Sequence, residues 1–504
     1  MGDARRYRRQ FVLAPRPVGE LSHWPATSLG AGRMLHAHPD LPVTHAEVDG
    51  LRLTLVGYAI DPHRPELDDA GVLDALARRA CDAAGVPDAV AALGGRWVLV
   101  ASDAERDLLL HDANGLRSVV HTTRDDGVWC ASDTPLLGEV LPLVDDADAV
   151  ELFVESAYYR TSPQPWWPGD ATRYDGVRQL LPDHVLDLGA GTVRRFWPGA
   201  PLPERALPDA ACDAAAILRG MTEGAARRFP LSAGLTAGLD SRLLLAASRS
   251  IAPTTDFFTQ VHYEIKRSSP DVTVSERLAQ EFALTHRVID SLDVDTFLTS
   301  DDPRVAEHRA IYMSNTATPR AVFGAISVAV DDAIDDAQVL VKGNCNESTR
   351  RYYDWPRGAA AGSAEALCQV TGMAGNELSR RAYARWLDGA TDVCERLGYD
   401  VLDVFYIEQR VARWQAADQL ERDIDHETFV PFNSREYAEI CLGVVEEHRR
   451  PPYGLHLAMI RELWPELLTV PINPVSLQMR AKAVAYGVAS RLGVVDQLKR
   501  LLRR

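Results

Sequence analysis

Lysine is scarce in this chain of 504 residues. Lysine and arginine together number 54, yet the only lysines are Lys266, Lys342, Lys482 and Lys499. Aspartate and glutamate number 71, so the formal net charge is −17. A general nucleic-acid binder needs a basic face for phosphate contacts, so we expect no nucleic-acid partner.

Cysteine spacing argues against a zinc-binding protein, and the short apolar runs argue against a secreted or membrane-spanning one. The cysteines, at positions 81, 130, 212, 345, 368, 394 and 441, form no C-x-x-C or zinc-binding pattern. Their odd number is typical of reduced thiols and predicts a cytoplasmic protein. The arginine-rich N-terminus precedes only Phe11-Val12-Leu13-Ala14, which is too short for a signal-peptide core. No run approaches the roughly 20 apolar residues of a membrane span, so we expect no membrane partner.

A loop of small and hydroxyl-bearing residues is the most informative segment. It consists of Leu235, Thr236, Ala237, Gly238, Leu239, Asp240 and Ser241. Apolar stretches at 230–235 and 243–248 predict a buried strand before the loop and a helix after it. Such a turn presents backbone N–H groups and a positive helix end to an anion, and Asp240 offers a ligand for Mg²⁺. The segment is not a Walker loop, because G-x-x-x-x-G-K-[ST] is missing. A turn without a ligand is the alternative interpretation.

The loop resembles the S-G-G-x-D-S loop of the PP-loop ATP pyrophosphatases. Its surroundings resemble the asparagine synthetase and β-lactam synthetase branch of that family, and lasso-peptide cyclases are similar. The resemblance covers nearly the whole chain and is strongest from 209 to 479. It implies an α/β domain over 209–504, with a Rossmann-like parallel sheet and a helical C-terminal part, that uses ATP and Mg²⁺. Helices are expected at 436–445, 455–463 and 484–502.

The resemblance also assigns roles outside the loop. Thr259, at the end of the second strand, is implied to contact the nucleotide, as are Lys342 and Gly343. These two open a turn similar to S-G-E-G-A-D-E, which puts Glu347 at the second metal position beside Asp240. An exposed acidic loop is the alternative for Glu347. Arg350 and Arg351 follow, and they predict either contact with a carboxylate or phosphate, or a solvated face.

Two further residues are implied to act in acyl transfer. Glu427, in a segment that echoes L-E-V-R-V-P-F-L-D, is the candidate general base or orienting carboxylate for an attacking amine. Lys482 lies where the family has a lysine that neutralises developing charge. A compact ammonium fits one phosphate oxygen or oxyanion where a guanidinium is too wide, which favours a role for Lys342 and Lys482. An arginine-rich genome that left a few lysines by chance is the alternative.

The first 198 residues resemble a class II glutamine amidotransferase domain. Residues 94–100 and 108–117 are similar to its G-x-F-A-F-x-x-x-D and A-R-D-x-x-G-x-R patterns, and 129–133 echoes F-A-S-E. The resemblance implies an Ntn-like antiparallel sandwich, and prolines between 198 and 208 predict a linker after it. A glutaminase of this type uses an N-terminal cysteine, whereas the first cysteine here is Cys81. We expect a glutaminase-inactive domain that contributes an interface or part of the substrate site.

The sequence therefore predicts an ATP-dependent ligase that forms amide bonds. A substrate carboxylate attacks the α-phosphorus of ATP and releases pyrophosphate, and an amine then displaces AMP. Because no ammonia is expected from the first domain, the amine belongs to a small-molecule or peptide substrate in specialised metabolite or peptide biosynthesis. Two alternatives stay open, an asparagine synthetase-type enzyme that uses free ammonia and a nucleotide-binding scaffold without turnover. A homodimer is open as well.

Overall fold

The computed structural model describes residues 2–474. Its amino-terminal part contains antiparallel strands: β1 (Phe11–Ala14), β2 (Ala26–Gly30), β3 (Arg33–Ala37), β4 (Val43–Val48), β5 (Leu51–Ile60), β6 (Gly94–Ser102), β7 (Asp107–His111), β8 (Val120–Arg124), β9 (Gly127–Ala131), β10 (Arg178–Gln179), β11 (His184–Asp187) and β12 (Thr192–Arg195). The helices of this part are α1 (Gly2–Arg5), α2 (Asp69–Ala80), α3 (Val86–Ala89), α4 (Thr134–Val140), α5 (Ala147–Ala149) and α6 (Ala157–Thr161), with short 3₁₀ turns at Gly19–Leu21 and Ala83–Gly85 and a π-helical turn at Val150–Val154.

These strands form two six-stranded sheets that face each other. The strand orders are β10-β8-β9-β1-β3-β2 and β12-β11-β7-β6-β5-β4. Alternation along β1 sends Phe11 and Leu13 into the core shared with the second sheet, while Val12 and Ala14 pack on the outer side with α4. Helix α2 covers the outer face of the second sheet. The layers are thus helix, sheet, sheet and helix, which confirms the expected antiparallel sandwich.

The remaining described part is built on parallel strands: β13 (Leu231–Gly234), β14 (Asp256–Val261), β15 (His286–Asp290), β16 (Val339–Val341) and β17 (Thr428–Phe429). Its helices are α7 (Leu207–Arg228), α8 (Leu239–Ala247), α9 (Pro270–Glu281), α10 (Val294–Thr299), α11 (Pro303–Asn315), α12 (Ala321–Ala333), α13 (Ala364–Val370), α14 (Glu377–Leu397), α15 (Val401–Phe405), α16 (Ala416–Arg422), α17 (Arg435–Leu442), α18 (Glu446–Arg449) and α19 (Gly454–Leu463). A π-helical segment, Tyr406–Gln415, joins α15 to α16, and 3₁₀ turns occupy Ala252–Thr254, Asn346–Thr349 and Pro465–Thr469.

The parallel sheet has the strand order β15-β14-β13-β16-β17. From β13 the chain first builds outward through β14 and β15, then returns to add β16 and β17 on the other side. The order therefore reverses between β13 and β16. In open parallel sheets, ligands bind outside the carboxyl ends of the strands at this switch point. The loop at 235–238 and the turn at 342–349 begin there.

The expected second unit, an α/β sheet followed by helices, is confirmed. The predicted helices near 436 and 455 correspond to α17 and α19, while the one at 484–502 lies outside the described residues. Strand β17 is a difference, because two residues inside a mostly helical stretch carry no recognisable strand pattern. The last antiparallel strand ends at Arg195 and α7 starts at Leu207, on either side of the proline-rich segment. Within residues 2–474, every helix falls short of the length or apolarity needed to cross a bilayer.

Candidate active site

The loop predicted to hold phosphates is fixed at its start by side-chain hydroxyls. It connects β13 to α8, as the sequence predicts. The Leu235 carbonyl accepts hydrogen bonds from Thr259 Oγ1 at 2.7 Å and from Ser275 Oγ at 3.0 Å. The Thr259 hydroxyl also lies 2.8 Å from His286 Nε2. Thr259 thus supports the loop backbone, and its direct contact with a nucleotide stays a prediction.

Backbone N–H groups in the loop divide into a bonded set and a set at the helix end. The bonded ones are Thr236 N to Ser241 Oγ at 2.7 Å, Ala237 N to Asp271 Oδ1 at 3.1 Å and Gly238 N to Thr236 Oγ1 at 3.2 Å. The next three, at 239–241, belong to the first turn of α8, where no carbonyl of the same helix lies in reach. This helix start provides the donors for an anion.

Gly343 leaves space in front of that helix start. A methyl group on its Cα would stand 3.5 Å from the Ser241 nitrogen and 3.6 Å from the Asp240 carbonyl carbon. Those are ordinary contact distances, so a side chain there would fill the space without displacing the backbone. The missing side chain keeps the Ser241 N–H open to a ligand, which agrees with the role predicted for Gly343.

The two predicted metal ligands meet at the carboxyl edge of the sheet. Asp240 Oδ1 accepts a hydrogen bond from Asn346 Nδ2 at 2.7 Å, and Asp240 Oδ2 accepts one from Arg350 Nη2 at 2.8 Å. The same Nη2 lies 3.8 Å from Glu347 Oε1. Burial, and then the neighbouring Asp240, raise the pKa of Glu347 to about 7. Burial also raises the pKa of Asp240, although Arg350 and Asn346 oppose it.

Asp240 and Glu347 fit a Mg²⁺ ion. Both offer carboxylate oxygens, the donors that Mg²⁺ prefers. Their raised pKa values show that negative charge on the pair is costly where it stands, and an added cation relieves that cost. Arg350 now supplies one positive charge at this position, so it must share the carboxylates or move for the ion to bind.

Asn346 connects the carboxylate pair to the buried core. Its Oδ1 accepts a hydrogen bond from the Tyr437 hydroxyl at 2.8 Å, and Thr349 Oγ1 lies 3.0 Å from His456 Nε2 in the same network. Cys345, just before it, has φ of 71°, and the resemblance has a glycine at this position. The left-handed residue starts the turn that brings Asn346 and Glu347 to Asp240. The sequence did not indicate the role of Asn346.

Lys342 forms a buried ion pair with Asp418. Its Nζ contacts Asp418 Oδ2 at the carboxyl end of β16. Burial lowers the pKa of Lys342. Burial would raise the pKa of Asp418, but the charges of Lys342 and two arginines bring it down to about 2. Lys342 therefore lies at the predicted edge with a carboxylate as its partner, and its contact with phosphate stays a prediction.

A buried polar helix face lies beside Lys342. Asp418 shares this face with Gln415, Gln419 and Arg422, which are spaced four and three residues apart and are at most 6% exposed. Within the described residues, Gln415 Oε1, both amide atoms of Gln419, and Nε and Nη1 of Arg422 have no hydrogen-bond partner. Buried polar atoms in native proteins nearly always have one. The sequence analysis missed this face, whose only signal was a polar stripe on a helix.

Glu427 is held by the antiparallel unit. Its carboxylate accepts hydrogen bonds from Arg96 Nη1 at 2.9 Å and from Arg117 Nη2 at 2.7 Å. Both arginines are 1% exposed, and Arg96 also binds Asp423. Burial would raise the pKa of Glu427, but Arg117 and Arg96 lower it to about 2. A carboxylate this acidic is a weak base, so the environment favours the orienting role over the base role.

Glu427 is not brought to the carboxylate pair. Glu427 precedes β17 and is level with Val339, since Thr428 pairs with Leu340. That position is at the amino end of β16, opposite the edge where Lys342 and Gly343 stand. Lys482 lies outside the described residues, and its role stays a prediction.

A second group of candidate metal ligands lies where α1 meets the parallel unit. His308 Nδ1 is 3.6 Å from Asp425 Oδ1 and 3.9 Å from Asp331 Oδ2. Arg5 of α1 donates to both oxygens of Asp331, at 2.8 and 3.2 Å. The arginine already balances part of the negative charge, so the group ties α1 to α12. The sequence did not indicate it.

No family model and no curated protein matches the chain. A glutamine phosphoribosylpyrophosphate amidotransferase from B. subtilis, complexed with ADP and GMP, is similar at 12% identity and a TM-score of 0.24, over 69% of this chain and 72% of that chain. A U34-tRNA thiolase from Methanococcus maripaludis, with a [4Fe-4S] cluster, is similar at 13% identity and a TM-score of 0.23, over 59% and 80%. An NH₃-dependent NAD synthetase from Campylobacter jejuni is similar at 11% and 0.21, over 40% and 92%.

These identities and TM-scores show neither a family nor an activity for this chain. Its own topology defines the class: an Ntn-like antiparallel sandwich followed by an α/β unit of the PP-loop type, with a helical part at the end.

Proposed function

We propose that the protein is an ATP-dependent ligase that adenylates a substrate carboxylate, releases pyrophosphate, and joins the acyl group to an amine supplied by a substrate. One observation carries this proposal: Asp240 and Glu347 meet beside the helix start of the 235–241 loop, at the switch point of a parallel sheet. A phosphate cradle next to paired carboxylates is what nucleotide cleavage requires.

The residues act mainly by electrostatics. The N–H groups at 239–241 donate to phosphate oxygens, and Gly343 leaves room for them. Asp240 and Glu347 would hold Mg²⁺, and the ion would supply positive charge for the leaving pyrophosphate. Lys482 stabilises the oxyanion of acyl transfer, in the role that the resemblance gives it. Little covalent chemistry is asked of the protein itself.

The polar helix face supports an acyl substrate with polar groups. Gln415, Gln419 and Arg422 hold unpaired donors and acceptors beside the Lys342–Asp418 pair. Each unsatisfied buried group costs about 1–3 kcal/mol in the free protein. Amide or carboxylate groups of an amino-acid or peptide substrate would satisfy them, whereas an aliphatic chain would not.

The antiparallel unit serves as a support and carries no glutaminase in this proposal. Cys130 is buried, and burial raises the pKa of its thiol to about 12, so it is not a reactive thiolate. Arg96 and Arg117 of this unit instead hold Glu427. The amine therefore comes with a substrate.

A nucleotide-binding scaffold without turnover is the second candidate. The ion pair between Arg350 and Asp240 favours it, because the carboxylate that would hold the cation is already engaged. The two candidates differ in their products: a ligase converts ATP to AMP and pyrophosphate when its carboxylate substrate is present, and a scaffold leaves ATP unchanged.

The test is to incubate the full chain with Mg²⁺ and radiolabelled ATP across amino acids and short peptides, and to separate AMP, ADP and ATP. AMP that depends on one carboxylate, and that is absent with the Asp240→Asn variant, supports the ligase. Unchanged ATP throughout, with ATP binding seen by calorimetry, supports the scaffold. Asp145→Asn is the matched control, since Asp145 forms an exposed ion pair with Arg173 in the other unit.

A further inference from the structure

Arg350 stands at the position where a cation would bind. Its guanidinium contacts both predicted metal ligands, with Nη2 2.8 Å from Asp240 Oδ2 and 3.8 Å from Glu347 Oε1. All three side chains are largely buried, at 14%, 22% and 26% exposure. One positive charge thus offsets two adjacent negative charges in a site with little water, where charge interactions are strong.

Two features are compatible with movement of the Arg350 side chain away from Asp240. Its guanidinium lies over the Tyr453 ring at 5.3 Å, a contact that tolerates sliding and rotation. Its Nε is buried without a hydrogen-bond partner among residues 2–474, so one donor is unused in this arrangement. Asp240 keeps a second partner, Asn346, that does not depend on Arg350.

The position of Arg350 also brings it to the phosphate site. Asp240 belongs to the first turn of α8, whose N–H groups face the predicted phosphate position. A guanidinium in contact with Asp240 is therefore next to that position. Phosphate oxygens and carboxylates are both natural partners of arginine, so a bound phosphate can compete with Asp240 for the guanidinium.

We propose that Arg350 is the resident counter-cation of Asp240 and Glu347: it excludes divalent cations from the nucleotide-free protein and turns to the phosphates when nucleotide and cation arrive together. The proposal rests on the ligase proposal for the identity of the nucleotide. Its core is a competition between one guanidinium and one divalent ion, and that competition can be measured without ATP or an acyl substrate.

The experiment measures binding of Mn²⁺ alone to the full chain, from the electron paramagnetic resonance signal of free Mn²⁺. Wild-type protein should bind weakly at this site. Arg350→Gln removes the guanidinium that contacts both carboxylates and should bind Mn²⁺ at least tenfold more tightly. Arg350→Lys keeps the charge and should stay within about threefold of wild type.

Controls separate this effect from general loss of charge or fold. Arg351→Gln removes an equal charge from the next residue, which pairs with Asp400 at 2.6 Å, and should bind Mn²⁺ as wild type does. Adding Asp240→Asn to Arg350→Gln should abolish the gained affinity, which locates the ion. Thermal unfolding of each variant shows that the protein is folded.

A second measurement tests whether Arg350 contacts the phosphates of bound nucleotide. Calorimetry with MgATP should show weaker nucleotide binding to Arg350→Gln than to wild type, although the same variant binds Mn²⁺ alone more tightly. A merely structural arginine would change both affinities in the same direction.

Equal Mn²⁺ affinity of wild type and Arg350→Gln would overturn the proposal, as would tightened binding in Arg351→Gln as well. These outcomes leave the ligase proposal standing, because AMP formation is measured separately. Conversely, if no AMP forms but the Mn²⁺ affinities of the variants follow the predicted order, the ligase proposal is wrong. The proposed competition between Arg350 and a divalent cation at Asp240 and Glu347 then still stands.

Discussion

At the scale of single residues, lysine and arginine take different partners at the carboxyl edge of the sheet. Lys342 is paired with Asp418, while the guanidinium of Arg350 lies closest to the metal position. Scarcity of lysine drew attention to Lys342 but could not identify its partner, and the contact of Lys342 with phosphate stays a prediction. The buried amides of Gln415 and Gln419 carry information that no charge pattern shows, since they are unsatisfied only in the folded protein.

Gln419→Met should stabilise the free protein. The substitution keeps the length of the side chain and removes two buried polar atoms that lack partners. We expect the free energy of unfolding to rise by about 1–3 kcal/mol, measured by urea denaturation. The same variant should lose activity toward polar carboxylates, as expected where function is maintained at some cost in stability.

Gln179→Met is the control for this prediction. Gln179 is also buried, but its Nε2 donates to Ser118 Oγ at 2.9 Å, so methionine should destabilise the protein there by about 1 kcal/mol. If Gln419→Met destabilised to the same extent, the amide of Gln419 would have to be satisfied in solution, and the face would not await a ligand.

At the scale of elements, the 235–241 loop and strands β13 and β16 together build the predicted phosphate site. Strand β13 ends at Gly234, α8 starts at Leu239, and the turn after β16 places Gly343 against the first turn of the helix. The proposed anion site therefore needs both segments, although they are separated by about a hundred residues of sequence.

Gly343→Ala should weaken ATP binding without unfolding the protein. The added methyl would stand 3.5 Å from the Ser241 nitrogen, close enough to cover its N–H but not to clash. We expect the dissociation constant for ATP, from calorimetry, to rise about tenfold, which corresponds to about 1.4 kcal/mol.

Gly389→Ala is the matched control, because Gly389 lies inside α14 with open space around it. Alanine there should raise the free energy of unfolding by about 1 kcal/mol through its higher helix propensity. It should leave the affinity for ATP unchanged. ATP affinity of Gly343→Ala equal to that of wild type would place the phosphates elsewhere.

Most of the strands around this site could be predicted from the sequence, but the side-chain contacts within it could not. An apolar run indicated β13, because buried parallel strands are continuously apolar. The resemblance implied the second strand, which ends near Thr259. Strand β17 has only two residues and offers no such signal. The bond between Arg350 and Asp240 joins positions 110 apart, and the one between Arg96 and Glu427 joins positions 331 apart. Such long-range hydrogen bonds depend on tertiary packing, which cannot be predicted from a local sequence pattern.

At the scale of the whole molecule, a buried ion-pair cluster joins the two units. Arg96 and Arg117 project from the antiparallel unit onto Asp423 and Glu427 of the parallel unit, and all four side chains are at most 13% exposed. The Tyr58 hydroxyl adds a hydrogen bond to the Thr428 carbonyl at 2.6 Å. The first unit is thereby part of the support of the second.

Arg96→Met should therefore destabilise the whole chain. Removing one partner leaves Asp423 and Glu427 buried with less positive charge, which costs about 3–5 kcal/mol. Calorimetric unfolding should show a clearly lower melting temperature. Arg78→Met removes an exposed pair with Asp74 and should leave the melting temperature nearly unchanged, because solvent screens such pairs. Similar melting temperatures for the two variants would show that the cluster does not hold the units together.

The central claim, adenylation of a carboxylate at the Asp240–Glu347 site, is tested most directly by ATP–pyrophosphate exchange with Mg²⁺. The assay uses the full chain and a panel of amino acids, carboxylated metabolites and short peptides. The account predicts exchange that depends on one polar carboxylate, falls at least a hundredfold in Asp240→Asn, and persists in Asp145→Asn. Exchange of equal rate in Asp240→Asn, or no exchange with any carboxylate while ATP still binds, would contradict it.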